Sequence, residues 1–90
     1  MTIQEFKEWI SAEADPKYRY QLLSRMQADC LYFIGAGNGG SRLWGETVEK
    51  HIEYMKTLYD MIKDKPEWLT MDEINNYEKE MLEKREEYSE

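Results

Sequence analysis

Apolar residues recur along the chain at spacings of three and four positions, with polar residues between them. This spacing places the apolar side chains on one face of an α-helix. Gly and Pro are scarce within these segments, which favours long helices over a sheet of many strands. The pattern predicts four helices, at roughly residues 3–13, 17–34 and 46–63, and from Met71 to a solvated end that frays before Glu90.

Two of the predicted helices begin with a capping box. In this motif a Thr and a Glu three residues later bind backbone N–H groups that the first helical turn leaves unpaired. Thr2 and Glu5 form one box, and Thr70 and Glu73 form the other. These boxes fix the predicted starts of the first and fourth helices.

Other residues indicate where a helix should stop or restart. Asp15 is the predicted N-cap of the second helix, because Pro16 fits a first helical turn but cannot continue the helix before it. Gly35 is the predicted C′ residue of the second helix, in the left-handed conformation that closes a last turn. The third helix is predicted to begin at Gly45 or Glu46, and the sequence leaves its cap open.

The second and third helices are the most apolar, and a glycine-rich connector, residues 35–40, separates them. We predict a small all-α, four-helix domain built on these two helices as a central antiparallel hairpin, with the outer helices packed on it. The apolar stripe of the second helix is wide enough to suggest contact with more than one neighbour. Its members are Leu22, Leu23, Met26, Cys30, Phe33 and Ile34, broadened by Tyr18, Tyr20, Leu31 and Tyr32.

Length and composition favour one domain, residues 1–90, with a single core. The net charge is −7, and the excess lies in residues 46–90, where fourteen acidic residues accompany seven basic ones. An acidic chain without a basic cluster is not expected to bind nucleic acid directly. A single cysteine suits a reducing compartment, and no segment resembles a signal peptide or a membrane span. We therefore expect a cytoplasmic protein without a membrane partner.

Two motifs raise the question of chemistry. Gly35, Gly37 and Gly40 match the spacing of a dinucleotide-binding fingerprint, but that motif requires a preceding strand, and a helix is predicted here. Cys30 and His51 lie about equally far from the predicted turn and could face each other as a nucleophile and a base. Both belong to or flank apolar stripes, and no third residue that would orient the pair is apparent. We expect no catalysis, no cofactor, no metal site and no small-molecule ligand.

A longer pattern carries a family resemblance. The chain resembles the large polyvalent protein-associated domain type 11 over roughly residues 18–81, and residues 1–15 fall outside the pattern. The run Leu-Leu-Ser-Arg ending in Asp-Cys and the segment Pro-Glu-Trp-Leu-Thr are specific when they occur together. The matching residues are 20–30, 32–35, the glycine/asparagine turn, Leu43, Trp44, His51, Ile52, Met55, 65–70, Ile74 and Tyr77.

The resemblance implies a small domain carried by phages and conjugative elements, either free-standing or within very long multidomain proteins. It implies no established activity and supplies no catalytic residues. If the family has a specific surface, its first candidates in this chain are Arg25, Asp29, Trp44 and Trp68. Arg25 and Asp29 can also pair across one helical turn, and the two Trp rings can cap the ends of the bundle.

We expect an accessory domain of a mobile element that recognises a protein partner or a second copy of itself, without catalysis. The alternative is an acidic decoy that mimics DNA and binds a nucleic-acid-handling or defence protein. A decoy requires the carboxylates of residues 46–90 to form one contiguous face, whereas acids interleaved with Lys would argue against it.

Overall fold

A computed structural model of the chain describes residues 2–12, 15–36, 43–44 and 47–88. Within these ranges the chain forms four α-helices and no strand, which confirms the predicted all-α fold. Residues 37–42, most of the predicted glycine-rich connector, lie outside the described residues. The helices are α1 (Ile3–Ala12), α2 (Pro16–Ala36), α3 (Val48–Met61) and α4 (Met71–Tyr88).

The predicted helix starts of α1, α2 and α4 are confirmed by their hydrogen bonds. The backbone N–H of Glu5 donates to Thr2 Oγ1 at 3.1 Å, and the N–H of Thr2 donates to Glu5 Oε1 at 3.1 Å. Thr70 and Glu73 make the same pair of bonds at 3.2 Å. Asp15 caps α2 by accepting, at 2.9 Å, from the backbone N–H two residues ahead. Each cap satisfies donors that the first turn would otherwise leave unpaired.

The predicted end of α2 at Gly35 is wrong. The helix continues to Ala36, so Gly35 is a helical residue and does not take up a left-handed C′ conformation. A Cβ added at Gly35 would meet nothing within 4 Å. Glycine adopts right-handed and left-handed backbone conformations about equally readily, and its identity alone therefore does not end a helix.

The predicted start of α3 at Gly45 or Glu46 is also wrong. Thr47 is the N-cap, in an extended conformation with φ −130° and ψ 157°. Its Oγ1 accepts from the backbone N–H of Lys50 at 3.1 Å. The signal is weaker than a capping box because Lys50 occupies the position where a box has Glu or Gln.

The four helices share one core. α4 packs against both α2 and α3, α2 packs against α3, and α1 packs mainly on α3. The start of α2 reaches the end of α3 through Arg19 and Met61, and the middle of α2 reaches the first turn of α3 through Met26 and His51. This is the order expected of antiparallel neighbours, although the hairpin itself stays a prediction because its connector is not among the described residues.

The buried apolar residues form a single cluster to which every helix contributes. Burial of these side chains is the main favourable contribution to folding, at roughly 25 cal/mol for each Å² of apolar surface removed from water. The cluster comprises Phe6, Ile10, Leu22, Leu23, Met26, Cys30, Phe33, Leu43, Val48, Ile52, Tyr54, Met55, Leu58, Ile62, Leu69, Ile74 and Met81.

We predict that Gly35→Ala stabilises the protein. A right-handed helical glycine with open space at its Cβ position costs about 0.5–1 kcal/mol relative to alanine, and a position near a helix end falls at the low end of this range. Chemical denaturation would measure the change in the free energy of unfolding. Ala28→Gly, on the exposed face of the same helix, is the matched control and should lose a similar amount. Destabilisation by Gly35→Ala would instead support the left-handed conformation.

Candidate interaction surface

His51 occupies the junction between α2, α3 and the segment that precedes α3. Its side chain is fully buried. The backbone N–H of Trp44 donates to His51 Nδ1 at 3.0 Å, and His51 Nε2 lies 3.0 Å from the carbonyl oxygen of Met26. Because Nδ1 accepts, Nε2 carries the hydrogen and donates to that carbonyl. The ring is therefore neutral and has a partner at both nitrogens.

Burial lowers the pKa of His51 below its usual 6.5, because a charged imidazolium is poorly solvated in the core. The hydrogen bond to the Met26 carbonyl and the nearby carboxylate of Asp29 oppose this shift. The lowered pKa and the accepting role of Nδ1 both favour the neutral ring. Protonation would turn Nδ1 into a donor facing another donor, the N–H of Trp44.

Trp44, fixed by His51, lies in a cluster of five aromatic rings. It stacks on Trp9 with the ring centroids 6.0 Å apart and meets the edge of Phe6 at 5.9 Å. Phe6 also packs on Tyr54 at 4.9 Å, and Trp9 contacts Tyr18 at 5.7 Å. Phe6 and Tyr54 are buried, whereas the other three rings are partly exposed. The cluster attaches α1 to the rest of the domain.

Arg19 joins the C-terminal ends of two helices. Its Nη1 donates to the carbonyl oxygen of Met61 in α3 at 3.0 Å, and its Nη2 donates to that of Ile10 in α1 at 3.3 Å. Helix C-termini carry unpaired carbonyls and partial negative charge, which a guanidinium satisfies. The apolar pattern of the sequence did not single out Arg19. Arg19 lies three and four residues before Leu22 and Leu23, on the apolar stripe of α2, and this spacing could have indicated that the arginine faces the core.

Cys30 and His51 do not form the nucleophile–base pair that catalysis by these two residues would require. The Cys30 thiol contacts the sulfur of Met55 at 3.8 Å, while both nitrogens of His51 bind backbone groups. Burial raises the pKa of Cys30 to about 12, with a further contribution from the charge of Asp29. A thiol with this pKa is a poor nucleophile near neutral pH.

The four predicted surface residues have different environments. Arg25 is exposed on α2, Asp29 is half-buried one turn later, and Trp44 is half-buried in the aromatic cluster. Trp68 is 43% exposed in the connection between α3 and α4. Within the described ranges, no hydrogen bond, salt bridge or ring contact joins any two of them, and the possible Arg25–Asp29 pair does not form. Their role in binding stays a prediction.

The structure reveals a different feature on α2. Leu31 and Tyr32 were expected to broaden its apolar stripe, but they are 51% and 46% exposed and point away from the core. They belong to an exposed stripe that begins at Lys17 and in which Arg25 is the other charged residue. We call the part of this stripe that follows Lys17 the outer face of α2; it consists of Gln21, Ser24, Arg25, Ala28, Leu31, Tyr32 and Gly35.

The exposed face of α4 is different in composition, since five of its seven members are charged. They are Asp72, Glu73, Asn75, Asn76, Lys79, Glu83 and Arg85. A surface rich in charge is the usual solvated face of a helix. The contrast makes the outer face of α2 the less polar of these two exposed helical surfaces in a chain with 34% charged residues.

Several carboxylates of the acidic second half pair with basic residues of the domain. Arg85 Nη1 lies 2.6 Å from Glu49 Oε1, and this bond lowers the pKa of Glu49. Lys56 bridges α3 to Glu78 of α4 at 3.5 Å. Lys50 also lies 3.7 Å from Glu53 within α3. Acidic and basic side chains are thus interleaved on this side of the molecule.

The model of the family described as Large polyvalent protein-associated domain 11 matches residues 16–81. The chain belongs to this family. The family domain therefore begins at the first residue of α2 and includes His51, Arg19 and the outer face of α2. α1 precedes the match, and the last turns of α4 follow it. No curated protein and no solved structure matches the chain.

None of the helices in the described ranges is long and apolar enough to cross a membrane. Nor do three or more His, Cys, Asp or Glu side chains in those ranges converge as ligands for a metal ion.

We predict that the domain loses stability in mild acid because of His51. Its pKa is lower in the folded than in the unfolded chain, so the unfolded chain takes up the proton first as the pH falls below 6.5. The free energy of unfolding should be nearly constant between pH 7 and 8 and should fall below pH 6.5 by at most about 1.4 kcal/mol for each pH unit. Urea denaturation between pH 5 and 8 would measure this slope.

His51→Gln is the control for this slope. It removes the only histidine of the chain, so the slope between pH 5 and 6.5 should disappear whatever the absolute stability of the variant. A wild-type protein whose stability does not change over this range would contradict the proposed role of His51.

We predict that Cys30 resists thiol reagents in the native protein. A pKa raised from 9.0 to about 12 reduces the thiolate fraction at pH 8 about a thousandfold, and burial blocks access as well. An absorbance assay with an aromatic disulfide reagent would compare native and denatured protein. Ala28→Cys, on the exposed face of the same helix, should react at once with one equivalent of reagent. Rapid labelling of Cys30 in the native wild-type protein would contradict this prediction and would support the hypothesis that Cys30 is a nucleophile.

Proposed function

We propose that this chain is a protein-binding accessory domain of a phage or conjugative element, located in the cytoplasm, which acts by surface recognition without catalysis. The outer face of α2 is its contact surface. Membership of a family named for its association with large polyvalent proteins supports the setting. The observation that carries the choice of surface is the exposure of Leu31 and Tyr32 on a helical face with a single charge.

The composition of this face suits a helix-sized partner. Ala28 and Gly35 are small, and the open space around Gly35 shows that packing within the described part of the domain does not require a glycine there. Small residues let a second backbone approach closely, and exposed aliphatic and aromatic side chains provide the apolar contact. Arg25 lies on the same face and adds a charge-assisted hydrogen-bond donor.

The chemistry of the buried polar residues supports recognition without catalysis. Cys30 is in its protonated form, and His51 has both nitrogens engaged by backbone groups. The decoy alternative receives less support, because Glu49, Glu53 and Glu78 each pair with a basic side chain. A DNA mimic instead needs unpaired carboxylates at regular spacing.

Site-specific photocrosslinking tests this proposal. A photoreactive amino acid at position 31 should capture a protein partner, or a second copy of the chain, in cells of the native host. The same amino acid at position 75, on the exposed face of α4, is the matched control and should not. Leu31→Glu should reduce the yield of a crosslink made from position 28 at least tenfold, because a carboxylate would enter an apolar contact.

Circular dichroism should show that Leu31→Glu keeps its helix content, since an exposed substitution changes stability by only about 0.5 kcal/mol. Capture from position 75 but not from position 31 would favour the acidic decoy. Equal capture from both positions would contradict a specific surface on α2.

A further inference from the structure

α1 lies before the family domain, yet it supplies part of the core. Phe6 and Ile10 are fully buried, Phe6 packs on Tyr54 at 4.9 Å, and Trp9 stacks on Trp44 at 6.0 Å. The family domain therefore carries an apolar face that a helix from outside the domain covers in this chain. We call this face the α1 groove; it is lined by Trp44, Tyr54 and the adjoining core side chains of α3.

The interactions that form α1 as a helix are local. Its capping box joins Thr2 to Glu5, and Gln4 donates to Glu8 at 3.3 Å on the exposed side. The helix is amphipathic, because Phe6 and its buried neighbours face the groove while the opposite side is polar. An amphipathic helix docked in an apolar groove is a common mode of recognition between chains.

In the described part of the chain, α1 contacts the family domain mostly through its side chains. Among the described residues, Arg19 provides the hydrogen bond from the family domain to the α1 backbone, at the Ile10 carbonyl. Residues 13–15 alone connect α1 to α2. Helices with a short connection of this kind can be exchanged between copies, because the exchanged helix makes the same contacts in either chain.

We propose that the α1 groove is a docking site for an amphipathic helix, filled in one chain by its own α1 and in a dimer by α1 of a second copy. The second copy is the partner because its α1 offers the same set of Phe6, Trp9 and Ile10 to the same groove. This surface is separate from the outer face of α2, so the two proposals are independent.

The test uses the full-length variant Phe6→Ala/Ile10→Ala, which keeps the groove but weakens its own occupant. The probe is a fluorescent peptide of residues 2–12, which represents α1 of a second copy, and the readout is fluorescence anisotropy. The variant should bind the peptide at least tenfold more tightly than wild type. In wild type, the attached α1 competes at an effective concentration on the order of millimolar.

Two control peptides make the test specific. A peptide carrying Phe6→Ala and Ile10→Ala should not bind, whereas Lys7→Ala, on the exposed side of α1, should leave binding unchanged. Leu31→Glu in the protein should also leave peptide binding unchanged, which separates this result from the proposed function of the α2 face. A folded variant that fails to bind the wild-type peptide would overturn the proposal.

If the variant does not fold, hydrogen exchange on the wild-type protein tests whether α1 opens independently of the other helices. The backbone amides of α1 should exchange at least tenfold faster than those of α3, through an opening that leaves α2, α3 and α4 protected. Exchange of α1 only together with α3, through global unfolding, would contradict an exchangeable helix.

Discussion

A buried, neutral imidazole links two helices and the segment between them. His51 donates to the carbonyl of Met26 and accepts from the N–H of Trp44, so one side chain links α3, α2 and the segment that leads into α3. Loss of the imidazole would leave the partly buried N–H of Trp44 without this acceptor, at a cost of about 1–3 kcal/mol. Because the Trp44 backbone is fixed in this way, its ring can stack on Trp9, and the attachment of α1 follows from that contact.

The second constraint is the satisfaction of helix ends. The N-termini of α1, α2 and α4 are capped by residues adjacent in sequence, but the C-termini of α1 and α3 share Arg19. Lys65 donates to the carbonyls of Asp60 and Ile62 at the same end of α3. Two basic side chains thus lie where the unpaired carbonyls of helix ends concentrate negative charge.

The buried polar residues hold the fold together, whereas the proposed binding functions lie on the surface of the domain. Cys30 and His51 are buried, and their contacts hold helices together. The exposed features are the outer face of α2, which lies within the family domain, and α1, which lies before it. The proposed functions divide in the same way, because recognition through α2 would be a property of the domain whereas helix exchange would be a property of this chain.

The amino-acid pattern was enough to predict the four helices and three of their starts, because periodicity and a capping bond such as Thr70 to Glu73 depend only on residues within a few positions. Packing between helices was needed to show that Leu31 and Tyr32 face outward, since a broad apolar stripe does not reveal which side its neighbours cover. It also decided the role of Arg19, whose acceptor in α3 is 42 residues away. Local bonds are encoded locally, whereas the burial of a side chain depends on where the rest of the chain packs.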